Sequence, residues 1–432
     1  MAEPIGQKQK DLRSDVVIVG GGFAGLLTAL KLHATKPDRH IIVVDAADKL
    51  AGHQTWFFHE SELSNSESLS WLSPLIDKEW TECSYQFPRL ASTRQGRCFA
   101  IRSEDLRRVA KERLGDDIYV NSPVTRLSES HVELENGRII AARCVLDASG
   151  AQSPDNNPES PEQENATGTL AGYQKSITLE VELESAHGLT APVMIDATCP
   201  QLDGLRYYQL LPWSEKRLQV SEIYYSDTPE INRERICRSI RSFINRKGWV
   251  IKKETREEAR AIPLPLTSTY LTASVGGEAL PIGRYGGYFH ATLGSSVAET
   301  VRIAEFLATL EDLTTQSARD GLLRMRRPWL RRQRFYRLIN RWLFYAAEPT
   351  LRYAVLQKIF EQREDVIQRF VSGQTTFIDR FRLLKVRPAV PLERVLRSLS
   401  EKTLVSWTEA RAQKPAESVV PPETTSSLDR AS

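Results

Sequence analysis

Several things are scarce or absent in this chain of 432 residues. Its cysteines number only 5, at Cys83, Cys98, Cys144, Cys199 and Cys237, and none stands in CxxC spacing. That pattern argues against a disulfide framework or a cysteine-ligated zinc site and fits reduced thiols in a cytoplasmic protein; no metal is expected. No apolar run approaches the roughly 20 residues of a transmembrane helix, so any membrane contact must be peripheral. The polar stretch from Met1 to Asp15 has no secretion signal. Nor does one sign of charge dominate: 58 Lys and Arg against 55 Asp and Glu leave a formal charge of +3, which argues against a dedicated nucleic-acid binder. At this length the chain should bury a large core and hold two domains, or one with a substantial insertion.

What is present starts with Val16 to Leu32, VVIVGGGFAGLLTALKL. Four β-branched residues lead into Gly20-x-Gly22-x-x-Gly25, helical spacing follows, and a second apolar run, Ile41 to Val44, ends in Asp45. The pattern predicts strand, tight turn, helix and second strand, the fingerprint of a dinucleotide site. Gly20 makes the turn, Gly22 admits a pyrophosphate, Gly25 lets helix and strand approach, and Asp45 is placed to accept from the ribose. No second fingerprint of this kind is visible, which argues against a tightly held NAD(P)H.

Further along, Leu50 to His59 contains the adjacent aromatics Trp56, Phe57 and Phe58, which must line either the core or a pocket over the cofactor. Ser103 to Leu114 reads as a helix with a serine cap, and 118–120 and 131–140 as short strands with a turn at Asn136-Gly137. Arg143 to Gly150 is a strand ending in Asp147, a candidate cofactor contact; residues 152–168 read as a solvated loop. From Ser176 onward, alternation in 177–184, 205–211, 217–225 and 249–253 predicts an antiparallel sheet. Gly283 returns the chain to the nucleotide domain. A helix from Gly294 to Leu310 turns its N-terminus toward the cofactor.

Residues 324–345, RMRRPWLRRQRFYRLINRWLFY, interleave arginines with aromatics. This fits an amphipathic helix at an anionic lipid surface, or equally a helix that packs its apolar stripe inward beneath a solvated basic face. Residues 401–432 are rich in Ser, Pro, Glu and Thr and read as a disordered tail.

From about Asp15 to about Leu396 the chain resembles the bacterial lycopene β-cyclases, flavoproteins of carotenoid synthesis. The likeness rests on Val16 to Leu32, Ala51 to His59, PVMIDAT at 192–198, LPWSEKRL at 211–218, Glu257-Glu258 with Ile262-Pro263, Phe289-His290, FYRLINRWLF at 335–344 and DRFRL at 379–383. It implies an α/β fold: a Rossmann-type FAD-binding domain (15–175 and 276–312), an antiparallel β-sheet substrate domain (176–275) and a helical C-terminal part (313–400). It further implies redox-neutral closure of the end groups of lycopene to β-ionone rings. FAD would act in its reduced form with NAD(P)H as reductant, in a protein lying on the inner face of the cell membrane. Trp56, Phe58, Tyr208, Tyr224 and His290 are then expected around the substrate.

Departures from the family pattern are specific. The family's catalytic strand carries two acids, the first assigned proton transfer; here Ser221 stands in that place and Glu222 keeps the second. Either Glu222 serves through a bulge, or Asp196 serves, or the activity has changed. Arg260 stands where a glycine is usual, His53-Gln54 replaces Asn-His, and Ala291 and Ser295 replace Pro and Tyr. The lost acid leaves open a flavin monooxygenase or reductase acting on a hydrophobic isoprenoid, and a non-catalytic membrane-associated relative.

Overall fold

A computed structural model describes residues 11–150, 170–268, 279–284, 286–385 and 392–401, and every structural statement below refers to these. Two sheets organise them. Strand β1 (Leu12–Val19), apolar on both faces over Val16 to Val19, lies in the middle of the first sheet, between β2 (Ile41–Val44) and β9 (Ile139–Asp147), parallel to both. A continuous apolar run is what a strand covered on both sides requires. The order is β6 (Ile118–Tyr119), β2, β1, β9, β8 (His131–Leu134), β7 (Val124–Leu127), with β15 (Leu280–Pro281) also on β9. Helices α1 (Phe23–Thr35), α3 (Ser103–Leu114) and α5 (Val297–Thr309) share a core with Val16, Ile18 and Leu146. Ser103 is the first residue of its helix rather than the cap, and Arg102 precedes it with no side-chain capping bond.

The second sheet has the order β14 (Ile251–Pro265), β10 (Ala171–Leu183), β13 (Arg217–Ser226), β12 (Leu205–Pro212), β11 (Val193–Asp196), β4 (Ile76–Phe87), β5 (Leu90–Arg102), β3 (Thr55–His59). Its strands run antiparallel except where β11 meets β4. The two sheets interleave along the chain, since β3 to β5 leave the nucleotide segment to join the second one. The β4–β5 hairpin is an element that the sequence reading lacked. Its polar residues stand outward at alternate positions, and the pattern was too charged to signal a strand.

One face of the second sheet is covered by α4 (Arg233–Arg246), where Ile177, Leu179 and Leu210 meet Ile236, Ile240 and Phe243. The other face turns toward the nucleotide domain and the C-terminal helices α6 (Thr315–Arg341), α7 (Arg352–Phe360) and α8 (Glu364–Val371). Arg352, 1% exposed, locks the junction by donating to the carbonyl of Tyr225 (2.9 Å) and to Asp227 (2.6 Å). The tract 152–168 and residues 402–432 lie outside the described residues.

The close approach of α1 to its strand depends on Gly25, where an added Cβ would lie 1.9 Å from the carbonyl oxygen of Gly20. Backbone cannot yield as a side-chain tip does, so Gly25→Ala is expected to lower stability by about 2 kcal/mol or more in urea unfolding.

Candidate active site

The glycine turn forms a cradle at the carboxyl edge of the first sheet. Gly20 has φ +105° and its missing Cβ would sit 2.3 Å from the carbonyl oxygen of Ala148. Nothing lies within 4 Å of a Cβ at Gly22, so the turn is open to a ligand there. Gly22 also caps α1 with no side-chain bond, which leaves the helix's first N–H groups free for an anion. Asp45 accepts from the N–H of Gly21 and of Ala47 (2.7 Å), bracing the turn while lone pairs remain for a ribose hydroxyl. Asp147 pairs with Val19 and Pro281, accepts from Ser149 Oγ (2.6 Å), and receives the N–H of Ile282 at its carbonyl (2.8 Å) beside Gly283. This donor set fits a dinucleotide pyrophosphate and ribose.

Next to the cradle, a cavity with about 1280 Å³ of empty space including its mouth runs along the face of the second sheet opposite α4. Gly294 to Val297, the entry to α5, form part of its wall, with Arg284 donating to the carbonyl of Gly294 (3.0 Å). The strands set its floor in rows. Glu258, Thr178, Ser221 and Gln209 are successive register partners across β14, β10, β13 and β12, and all four line the cavity. The next row toward the C-terminal helices is Arg260, Ser176, Ile223 and Tyr207. Hydroxyls of Thr178 and Ser221 are bonded at 2.7 Å.

Among the described residues, two carboxyl groups line this cavity, Glu62 and Glu258. Glu62 is buried in a 3-10 turn after β3 and accepts from the N–H of His59 (2.8 Å); burial pushes it up to about 7. Burial also raises Glu258, against the opposing pull of Arg260 at 3.9 Å and Arg256 at 4.0 Å. Aromatic faces come from Trp56, which stacks on Phe23 with centroids 4.5 Å apart, and from Phe57, Tyr207 and Tyr225.

Other expected site residues lie elsewhere. Glu222 is fully buried on the helix-covered face, held by Arg206 Nε (2.7 Å) and by the hydroxyl of Tyr224. Tyr208 stacks on Phe243 of α4 at 3.9 Å and shares Ser239 with Arg206. Asp196 accepts from Thr198 Oγ1 (2.5 Å) and faces Lys247 at the end of α4 (3.9 Å). No bulge interrupts the β10–β13 register, so adjacent residues point to opposite faces: Ser221 and Tyr225 to the cavity, Glu222 and Tyr224 away. Phe58 belongs to the core against Phe99. His290 is a turn organiser, donating from Nε2 to Phe370 O (2.8 Å) and accepting at Nδ1 from Thr292 and Leu293; it does not line the cavity.

The signal for Tyr225 and Tyr207 was present, because parity with Ser221 selects Tyr225 directly. Glu62 carries no motif, and Glu258 looked like one of two equivalent acids until register separated them. Segment 324–345 packs Trp329, Phe335, Tyr336, Trp342 and Phe344 inward and exposes Arg324, Arg327, Arg331 and Arg334. Its aromatics therefore serve the core, as in the inward-packing alternative.

Residues 15–397 match the family described as lycopene cyclase protein. The lycopene β-cyclase of Pantoea ananas is 31% identical over 392 residues, covering 89% of this chain and 97% of that one. That of Pseudescherichia vulneris is 30% identical over 387 residues, covering 88% and 95%. In structure the chain is similar to a geranylgeranyl bacteriochlorophyll reductase-like protein of Thermoplasma acidophilum (TM-score 0.55, 13% identity, 93% of this chain and 100% of that one). It is also similar to the flavin-dependent brominase Bmp2 (TM-score 0.57, 13% identity, 86% and 98%). At such identities these neighbours speak for the fold, a Rossmann-type α/β architecture with a second sheet.

Glu222→Gln is expected to cost about 3 kcal/mol in urea unfolding by leaving Arg206 buried without its counter-charge, while the cavity's chemistry persists. For Glu62 the folded value near 7 lies above the ordinary 4.5, so the native state holds a proton that the unfolded chain releases. Its contribution falls as pH rises through that window, by about 3 kcal/mol in all. His290, pushed down to about 4 by burial, acts in the opposite sense over much of the same range. The readout is therefore the difference in unfolding free energy between wild type and Glu62→Gln, which should move in the variant's favour between pH 5 and 7.

Proposed function

The chain belongs to the lycopene cyclase protein family, whose members are enzymes of carotenoid end-group cyclisation, and from this we propose that it closes lycopene's linear end groups to β-ionone rings by acid–base catalysis. The observation that carries the reading is the row Glu258, Thr178, Ser221, which puts a desolvated carboxyl on the floor of the cavity where the family's acid has been lost.

Gly20, Gly22, Gly25 and Asp45 with the start of α1 would hold FAD, supported by Asp147, Gly283 and the entry to α5 at Gly294. Bound in its reduced form, with NAD(P)H as the source of reducing equivalents, FAD would supply negative charge to the site without net electron transfer. Glu258, whose affinity for its proton is raised by burial, gives that proton to the terminal double bond. The next double bond attacks the tertiary cation and closes the ring, and Glu62 in its ionised form, accessible near neutral pH with a value of about 7, takes a proton from the adjacent ring carbon, so electrons balance without redox change. Tyr207, Tyr225 and Trp56 offer π faces to the cation, each worth about 1 to 2 kcal/mol when water is excluded. The division into FAD-binding (15–175, 276–312), substrate (176–275) and helical (313–400) parts goes with this reading once β3 to β5 are moved to the substrate part, as does peripheral contact with the inner face of the cell membrane, where such a polyene resides.

The loss of the acid at Ser221 favours one second reading, a monooxygenase or reductase on a hydrophobic isoprenoid. Substrate-stimulated NAD(P)H oxidation by the purified protein would select it.

Expression in lycopene-accumulating cells is expected to yield γ- and β-carotene. Glu258→Gln should lower product formation about 100-fold at unchanged flavin content. Glu222→Gln, once folded, should not. Unchanged lycopene from well-folded, flavin-loaded protein, or full activity of Glu258→Gln, would sink the assignment.

A further inference from the structure

Among the described residues of the C-terminal part, one short helix carries a continuous apolar stripe without cover. On α9 (Phe377–Lys385), Phe377, Ile378, Phe381 and Leu384 are 83%, 61%, 61% and 40% exposed. Their spacing places them along one stripe of the helix, while Asp379 and Leu383 turn inward. Four large apolar side chains on a nine-residue helix are a patch rather than scattered exposure.

The charge around the stripe has one sign. Asp379, the only acid of the helix, is buried and doubly bonded to Arg369 (2.6 and 2.8 Å), besides accepting from the N–H of Thr376 (2.9 Å). Arg382 and Lys385 are exposed beside the apolar residues. Arg380 lies over the ring of Phe335 with 5.7 Å to its centroid, which seats α9 against α6, the helix whose outward positions include Arg331 and Arg334.

We propose that α9 docks the protein on an anionic phospholipid surface. Phe377, Ile378, Phe381 and Leu384 enter the acyl boundary while Arg382, Lys385 and the outward arginines of α6 meet headgroup phosphates. A second copy of this chain is the poorer occupant, because a two-fold contact would set these cations against one another. The helix is tied to the cavity, since the Arg369–Asp379 pair joins it to α8, whose last residue, Val371, is part of the cavity wall. Passage of a polyene from lipid to cavity along this side rests on the substrate reading above; the docking does not.

The test is flotation of the full chain with phosphatidylglycerol or phosphatidylcholine vesicles, alongside thermal midpoint and sedimentation velocity. Wild type is expected to float with phosphatidylglycerol, weakly with phosphatidylcholine, and less as salt rises. Phe377→Asp with Phe381→Asp should lower the bound fraction at least tenfold at an unchanged midpoint. Arg382→Glu with Lys385→Glu should abolish the preference for phosphatidylglycerol. Failure of wild type to float, undiminished binding of the double aspartate variant, or a wild-type dimer that this variant dissociates would each overturn the proposal.

Discussion

The uninterrupted pairing of β10 with β13 is the constraint on which the rest of the structure depends. A strand sends successive side chains to opposite faces, and this sheet has two unlike faces, one sealed by α4 and one bordering the cavity. Everything polar on the sealed side must find a partner within the protein. Arg206, Glu222, Tyr208, Tyr224 and Ser239 do so in a single cluster. On the other side the same strands present Thr178, Ser221 and Tyr225 to open space, so one register decides both what stabilises the domain and what meets a ligand.

Burial works differently on the carboxyl groups of the two faces. Glu222 keeps a guanidinium in direct contact and is part of the scaffold. Glu62 has no such contact among its hydrogen bonds, and desolvation brings it up to about 7; Glu258 lies between two arginines, each at about salt-bridge limit, with desolvation the larger influence. Proton transfer to an alkene needs a carboxyl of the second kind. Ser221 need not then be read as a loss of function, because Glu258 stands in the same cross-strand row.

The C-terminal helices close one side of the cavity and carry the molecule's unevenly spread positive charge. Burial of Trp329, Phe335 and Tyr336 makes α6 a structural beam with a basic outer edge. An exposed apolar stripe belongs to α9, which composition alone did not mark, because a nine-residue stretch with Asp379, Arg380 and Arg382 looks like any solvated helix.

Legibility followed the range of the interactions. The β1–turn–α1 unit, the acid at Asp45, the return strand to Asp147 and the alternating strands were all readable, because glycine geometry, helical spacing and strand alternation act over a few residues. The β4–β5 hairpin was not, since its strands gain their place from partners rather than from pattern. Candidate residues fared by the same rule: the cradle glycines came together, while Glu222, Asp196, Tyr208, Tyr224, Phe58 and His290 were assigned to a pocket they do not face. Local order along the chain was enough to specify a nucleotide-binding unit and a family likeness. Which side of each strand is covered, and hence which acid meets the cavity, depends on α4 packing against one face and on C-terminal helices distant in sequence closing the other, and only the folded arrangement settles it.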